Sequence, residues 1–78
     1  MLKDELDFFI ANQDRLVRKY PHKVLVIKGK RVAGVYDNLL DAYFEARKLY
    51  KPGTYMIQPC EAGPEAYTVT ISSGDMFA

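Results

Sequence analysis

The first part of the chain repeats apolar residues at three- and four-residue steps, which is the spacing of one helix face. This pattern predicts a helix from about Lys3 to Lys19. Pro21 ends it, because the residue before a proline avoids the helical region. Phe8 lies outside this apolar helix face, so we expect it at the surface or packed under the start of the chain. The residues that share the predicted inner face are Leu6, Phe9, Ile10, Gln13, Leu16, Val17 and Tyr20.

Two runs rich in β-branched and aromatic residues follow, VLVIK and RVAGVY. Gly29 and Lys30 separate them, and such a pair suits a type II′ hairpin turn. We therefore predict a hairpin with strands at Val24–Ile27 and Val32–Tyr36. Both faces of the first strand are apolar, which indicates a central strand or one whose second face is covered by another chain.

A second helix is predicted to begin after Asn38, a good N-cap residue, with Asp41 in the position that a capping box uses. It ends at Lys51-Pro52-Gly53, a strong stop signal. Leu40 and Phe44 widen its apolar stripe. The stripe itself consists of Leu39, Ala42, Tyr43, Ala46, Leu49 and Tyr50.

Two further strands are predicted, at Tyr55–Pro59 and Ala66–Ser72, with a turn at Gly63-Pro64 between them. The element order is then α-β-β-α-β-β. Hairpins joined by a helical crossover favour an α+β fold. We expect two helices on one face of a three- to four-stranded antiparallel or mixed sheet, forming one domain over residues 1–78.

Composition restricts the class of protein. With 78 residues, 49% of them hydrophobic, the chain suits one small domain with a core rather than a disordered segment. Its single cysteine, Cys60, excludes an internal disulfide and fits a reducing compartment. The start resembles no secretory signal, and no stretch approaches the roughly 20 apolar residues that cross a bilayer. We therefore expect a cytoplasmic protein that does not span a membrane.

Charge is segregated along the chain, although the formal net charge is only +1. No acidic residue interrupts the segment from Arg15 to Arg31. We favour a solvated, salt-bridged surface here, ahead of an anionic protein partner and then nucleic acid, both of which such a field can attract. The residues expected to contact an anionic partner are Arg18, Lys19, Lys23, Lys28, Lys30 and Arg31.

The segments YPHKVLVIKGKRVAGVYDN and GTYMIQPCEAGPEAYTVT, joined by a helix, carry a further pattern. Its matching residues are Tyr20, Lys23, Val26, Ile27, Val32, Gly34, Tyr36 and Asp37. Over Phe8 to Thr70 the chain resembles a small prokaryotic family of unknown function, with a Tyr-x-Gly-Lys helix end, a hydrophobic hairpin and a helix opening at Asp-Ser. His22 stands at the glycine position and Asn38 at the serine position. The resemblance implies an α+β fold and no established activity.

Candidate chemistry is sparse. Cys60 would need a base to form a thiolate, and nothing in the sequence brings His22, the single histidine, close to it. His22 alone is a poor metal ligand, and the glycines lack phosphate-loop spacing. Carboxylate pairs such as Asp41 with Glu45 suit exposed helix faces. We therefore predict no catalytic, metal or cofactor-binding residues, and no enzyme.

Apolar surface favours contacts with protein. Tyr, Phe and Met are enriched at interfaces, and two helices on one sheet face would leave apolar residues of the other face uncovered. The expected interface residues are Phe8, Leu25, Ile27 and Phe77. We therefore predict a small protein-interaction module that forms a homodimer. The alternative is a nucleic-acid-binding module that uses the segment from Arg15 to Arg31, and an enzyme based on Cys60 ranks behind both.

Overall fold

Helix α1 spans Lys3–Lys19, which confirms the prediction from apolar spacing. The computed structural model describes residues 3–63, 66 and 71–72. Phe9 and Leu16 are buried on the inner face of α1. The chain leaves the helix through His22, whose φ of 60° lies in the left-handed region that glycine adopts more readily.

Strands β1, Val24–Lys28, and β2, Arg31–Tyr36, form the predicted antiparallel hairpin. Gly29 has a φ of 64°, and it is followed by Lys30, which does not have a positive φ. This combination matches a type II′ turn, whose first central residue alone requires positive φ. The register shifts between Val26 and Ile27, so β2 bulges in its middle.

Helix α2 spans Leu39–Leu49 and begins as predicted, with Asn38 as its N-cap. The Oδ1 atom of Asn38 accepts a hydrogen bond of 2.9 Å from the backbone N–H of Asp41. This bond satisfies one of the N–H groups that lack a partner in the first turn of a helix. The helix ends shortly before Gly53, which has a φ of 86°.

Strand β3, Met56–Pro59, pairs antiparallel with β1, and the two-residue strand β4, Ile71–Ser72, pairs antiparallel with β3. The strand order is β2-β1-β3-β4. Ala66, which we predicted to begin the last strand, is instead helical, and its N–H bonds to the carbonyl of Gly63 in a turn. The predicted strand residues 67–70 lie outside the described residues.

The two helices cover opposite faces of the sheet, so the prediction that both lie on one face is wrong. Leu25 and Ile27 pack with Phe9 of α1, whereas Val24 and Val26 point to the other face and pack with residues of α2. Alternate residues of a strand point to opposite faces, which is why β1 is apolar throughout. The residues of α2 in this second cluster are Ala42, Tyr43 and Ala46.

Burial on both faces makes β1 the centre of the molecule. Leu25 and Ile27 are fully buried, and burial of each such side chain contributes roughly 1.5–3 kcal/mol. The fold is therefore α+β, with two helices and the antiparallel sheet β2-β1-β3, extended by the short β4. Among the described residues, this arrangement leaves the outer surfaces of both helices and one edge of β2 uncovered.

Candidate functional site

The basic residues predicted to meet an anionic partner do not form one patch. Lys23 donates a hydrogen bond to Asp37 at the open end of the hairpin, and this bond and the charge of Lys23 lower the pKa of Asp37. Lys28 lies 5.5 Å from the ring centre of Tyr50 and donates to the carbonyl of Thr54. Both lysines are therefore occupied by contacts within the chain.

Arg18 and Lys19 line different cavities, because successive residues of a helix point about 100° apart. Arg18 lines a surface cavity with Val17 and Ala62, on the side of the loop after β3. Lys19 lines another cavity with Val32, on the side of β2. The two charges therefore lie beside different strands, since β2 and β3 flank β1 on opposite sides.

Lys30 and Arg31 lie at the hairpin turn, at the other end of β1 from Lys23. Lys30 lines a cavity that also contains the acidic residues Asp4 and Asp7. The positive field at this end is therefore reduced by two carboxylates, which weakens the case for a continuous nucleic-acid surface.

A groove between α1 and β2 combines aromatic and basic side chains. Phe8, Tyr20 and Val32 are half-buried and line it together with Arg15 and Lys19. The sequence singles out Phe8 as an aromatic outside the helix stripe. The structure places it on the flank of α1 that faces β2, in contact with the core. Of the six predicted contact residues, only Lys19 lines this groove.

The predicted interface residues have different surroundings. Leu25 and Ile27 are 0% exposed, so the prediction that they lie at an interface is wrong, because α1 covers them. Phe8 is half-buried beside the groove. Phe77 lies outside the described residues. The structure therefore removes the uncovered sheet face that led us to predict a homodimer.

Exposed apolar surface is present instead on the outer side of α2. Leu40 is 64% exposed and Phe44 is 50% exposed, and residues four apart share one helix face. From the sequence we assigned both residues to a widened apolar stripe that faces the core. A helix that rests on a sheet buries only one side, and α2 buries Ala42, Tyr43 and Ala46. The width of the predicted stripe was therefore the sign that some of its residues are exposed.

Charges on α2 are separated along its length. Asp41 lies in the first turn, and Arg47 and Lys48 lie in the last turn. Arg47 donates to the hydroxyl of Tyr43 at 3.2 Å, and Lys48 lies 3.7 Å from the carboxylate of Glu45. The exposed side of α2 therefore has Leu40 beside the acidic Asp41 in its first turn, Phe44 in its middle and basic residues in its last turn.

Cys60 does not have the surroundings of a catalytic nucleophile. Its side chain is 0% exposed and belongs to the cluster under α1. Burial, with a smaller contribution from the charge of Glu61, raises the pKa of its thiol to about 11. A reactive cysteine needs a lowered pKa and access to substrate.

His22 approaches Cys60 along the backbone, which the sequence did not indicate. The N–H of Cys60 bonds to the carbonyl of Lys23 at 2.8 Å, directly after His22. However, Nδ1 of His22 pairs with the carboxylate of Glu61 at 2.9 Å, and both side chains are exposed. The histidine is therefore engaged on the surface while the thiol lies in the core.

The described residues contain no group of three or more His, Cys, Asp or Glu side chains that could hold a metal ion. Within the same residues, no helix has the length and apolar character needed to cross a membrane. Comparison of the chain with family models, with curated proteins and with solved structures finds no match in any of the three. The resemblance to a small prokaryotic family therefore stays a prediction.

Proposed function

We propose that this chain is a small non-enzymatic protein-interaction module that self-associates through the outer face of α2. The observation that carries the proposal is the exposure of Leu40 and Phe44, one helical turn apart on a single face. Exposed large apolar residues that adjoin one another are typical of interaction sites. The buried thiol of Cys60 and its raised pKa support a non-enzymatic role. A single free cysteine fits our expectation that the protein acts in the cytoplasm.

A second copy of this chain is the occupant that fits the charge pattern. When two α2 helices pair antiparallel about a two-fold axis near Phe44, the acidic start of each meets the basic end of the other. Asp41 then approaches Lys48 of the second copy, the two Phe44 side chains meet at the axis, and each Leu40 packs one helical turn away from it. A two-fold interface must be self-complementary in this sense. The antiparallel arrangement also opposes the two helix dipoles.

The expected dimer is weak. A helix of 11 residues is about 16 Å long, which is short for a stable interface. We therefore expect reversible association in the micromolar range, weakened by salt because the acidic and basic ends are exposed.

Nucleic-acid binding is the alternative, and the positions of the basic residues argue against it. Lys23 pairs with Asp37, Lys28 contacts the ring of Tyr50, and Arg18 and Lys19 line different cavities. Sedimentation of the chain in the presence of a short duplex DNA tests this directly. Tight binding with a steep dependence on salt would favour the alternative.

Sedimentation velocity over a range of concentrations tests self-association, with two matched variants. Leu40 and Leu49 are both 64% exposed, and nine residues along the helix place them on opposite sides of α2. We expect the native chain to approach twice its 8.9 kDa mass as the concentration rises. Leu40→Gln should keep the chain monomeric, whereas Leu49→Gln should associate like the native chain.

Two results would contradict this function. A mass of 8.9 kDa at every concentration would exclude the dimer. Equal loss of association in the Leu40→Gln and Leu49→Gln variants would show that the effect does not come from the proposed face. Circular dichroism melting of both variants establishes that they are folded before the comparison is made.

A further inference from the structure

Strand β2 forms one edge of the sheet. In the strand order β2-β1-β3-β4, β1 is the one strand that pairs with β2 among the described residues. An edge strand presents backbone N–H and C=O groups that an extended peptide can pair with, which adds a strand to the sheet. The bulge in β2 lies before Gly34, so the segment Gly34–Tyr36 pairs with β1 in continuous register.

The side chains of an added strand would reach the groove between α1 and β2. Val32 and Val35 pair with Ile27 and Leu25, so both lie on the face of the sheet that α1 covers. Val35 is 37% exposed. Because strand residues alternate between faces, every second side chain of an added strand would point toward α1. The apolar part of the groove there is formed by Phe8, Tyr20 and Val32.

The helix side of this groove is positively charged at Arg15 and Lys19, whereas Asp4 and Asp7 line a separate cavity that Phe8 also borders. Arg15 donates to Oδ1 of Asn12 at 3.1 Å, and Asn12 in turn donates to the carbonyl of Phe8 at 2.8 Å, which orients Arg15 on the Phe8 side of α1. Lys19 lies 5.3 Å from the ring centre of Tyr20. Within the described part of the chain, neither Arg15 nor Lys19 forms an ion pair. Acidic side chains of a ligand would therefore complement the charges of Arg15 and Lys19.

We propose that β2 and the adjoining groove bind an extended acidic segment of another protein, which pairs with β2 as an additional strand. Its apolar side chains pack on Phe8, Tyr20 and Val32, and its carboxylates meet Arg15 and Lys19. This site goes beyond self-association through α2, because it uses the opposite face of the sheet and a different kind of occupant. Both contacts can form on one molecule.

Selection from a phage-displayed library of random peptides tests the proposal, because it samples extended segments of every composition. We expect enriched peptides in which apolar residues alternate with Asp or Glu. A labelled synthetic copy of an enriched peptide should shift the backbone amide resonances of β2. Methylation of alternate backbone nitrogens in that peptide should abolish binding, because it removes the donors that pair with the strand edge.

Charge reversal beside the groove and away from it provides the matched control. Arg15→Glu combined with Lys19→Glu should weaken peptide binding by about tenfold, as expected for the loss of two exposed ion pairs and the repulsion that replaces them. Lys51→Glu changes the same kind of exposed charge just after α2, which covers the other face of the sheet, and should change binding by less than about twofold. If the double variant fails to fold, Arg15→Gln with Lys19→Gln gives the same comparison.

Several outcomes would overturn the proposal. These are a selection that enriches no acidic peptide, amide shifts that avoid β2, and binding that survives backbone methylation. Equal weakening by Lys51→Glu would indicate general attraction to a basic molecule. Displacement of the peptide by duplex DNA at low concentration would assign the groove to a different occupant.

Discussion

His22 has a backbone conformation that favours glycine. Its φ of 60° costs a residue with a Cβ atom about 1 kcal/mol relative to glycine. The side chain pairs with Glu61, but both groups are exposed, and exposed pairs contribute little. At this position the backbone conformation therefore affects stability more than the ion pair does.

Substitution of His22 separates these two contributions. His22→Gly and His22→Ala both remove the pairing with Glu61, and only His22→Gly relieves the positive φ. We expect the glycine variant to exceed the alanine variant by about 1 kcal/mol in free energy of unfolding, measured by urea titration. Equal stability of the two variants would show that the turn relaxes to another conformation.

Cys60 should make stability depend on pH in the alkaline range. Burial raises the thiol pKa from 9.0 to about 11 in the folded chain. As the pH rises, the thiol therefore loses its proton first in the unfolded state. The contribution of the protonated thiol to the free energy of unfolding is complete below pH 9 and is lost as the pH rises toward 11. A difference of two pKa units corresponds to roughly 3 kcal/mol.

A Cys60→Ala variant isolates this effect. Burial also raises the pKa values of Tyr36 and Tyr55, so the native chain loses stability from several groups at high pH. The variant retains the tyrosines, and it should lose less free energy of unfolding between pH 9 and pH 11 than the native chain. Identical losses in the two proteins would contradict the burial of the thiol.

At the level of elements, a side-chain contact joins α1 to the hairpin turn. Glu5 is 8% exposed, and its Oε2 atom accepts a hydrogen bond of 2.7 Å from the backbone N–H of Gly29. Glu5→Ala leaves this N–H without its acceptor, and we expect the free energy of unfolding to fall by about 1–3 kcal/mol. Asp4→Ala removes the same charge from the same turn of α1, where the side chain is exposed, and provides the control.

Thermal or urea unfolding of these variants measures how much the hydrogen bond between Glu5 and Gly29 contributes to the free energy of unfolding. Glu5→Gln keeps an acceptor oxygen and should lie between the native chain and Glu5→Ala. A loss from Asp4→Ala as large as that from Glu5→Ala would mean that general charge on α1, rather than the bond to Gly29, stabilises the molecule.

The elements themselves were predictable because their signals are local. The repeat that ends before Pro21 marks α1, the Gly29-Lys30 pair marks the hairpin turn, and Asn38 caps α2 in the expected way. Each of these residues determines the backbone conformation within a few residues of its own position. Ala66 was the exception, because a turn stabilised by the carbonyl of Gly63 replaced the expected start of a strand.

The layer arrangement was not predictable in the same way. Which face of the sheet a helix covers depends on contacts between distant parts of the chain, such as Phe9 with Leu25. The two-faced apolar character of β1 left two interpretations open, a central strand or a face covered by another chain, and β1 is a central strand with a helix on each face. We also did not predict the exposure of Leu40 and Phe44, because we assigned all apolar residues of the predicted α2 stripe to the core.

At the scale of the whole molecule, we propose two surfaces of the described residues as binding sites. One is the apolar outer side of α2, and the other is the edge of β2 with its basic groove. They lie on different faces of the sheet, because α2 packs on the side of Val26 and the groove opens on the side of Leu25. Self-association through α2 therefore leaves the groove free for a second partner.

Amide NMR spectra recorded over a dilution series test the central proposal, that the chain associates with itself through α2, most directly. The account predicts resonances of Leu40, Phe44 and Lys48 that move with concentration, while those of Leu25 and Ile27 under α1 stay fixed. Shifts centred on α1 or β2, or spectra that do not change with concentration, would contradict it.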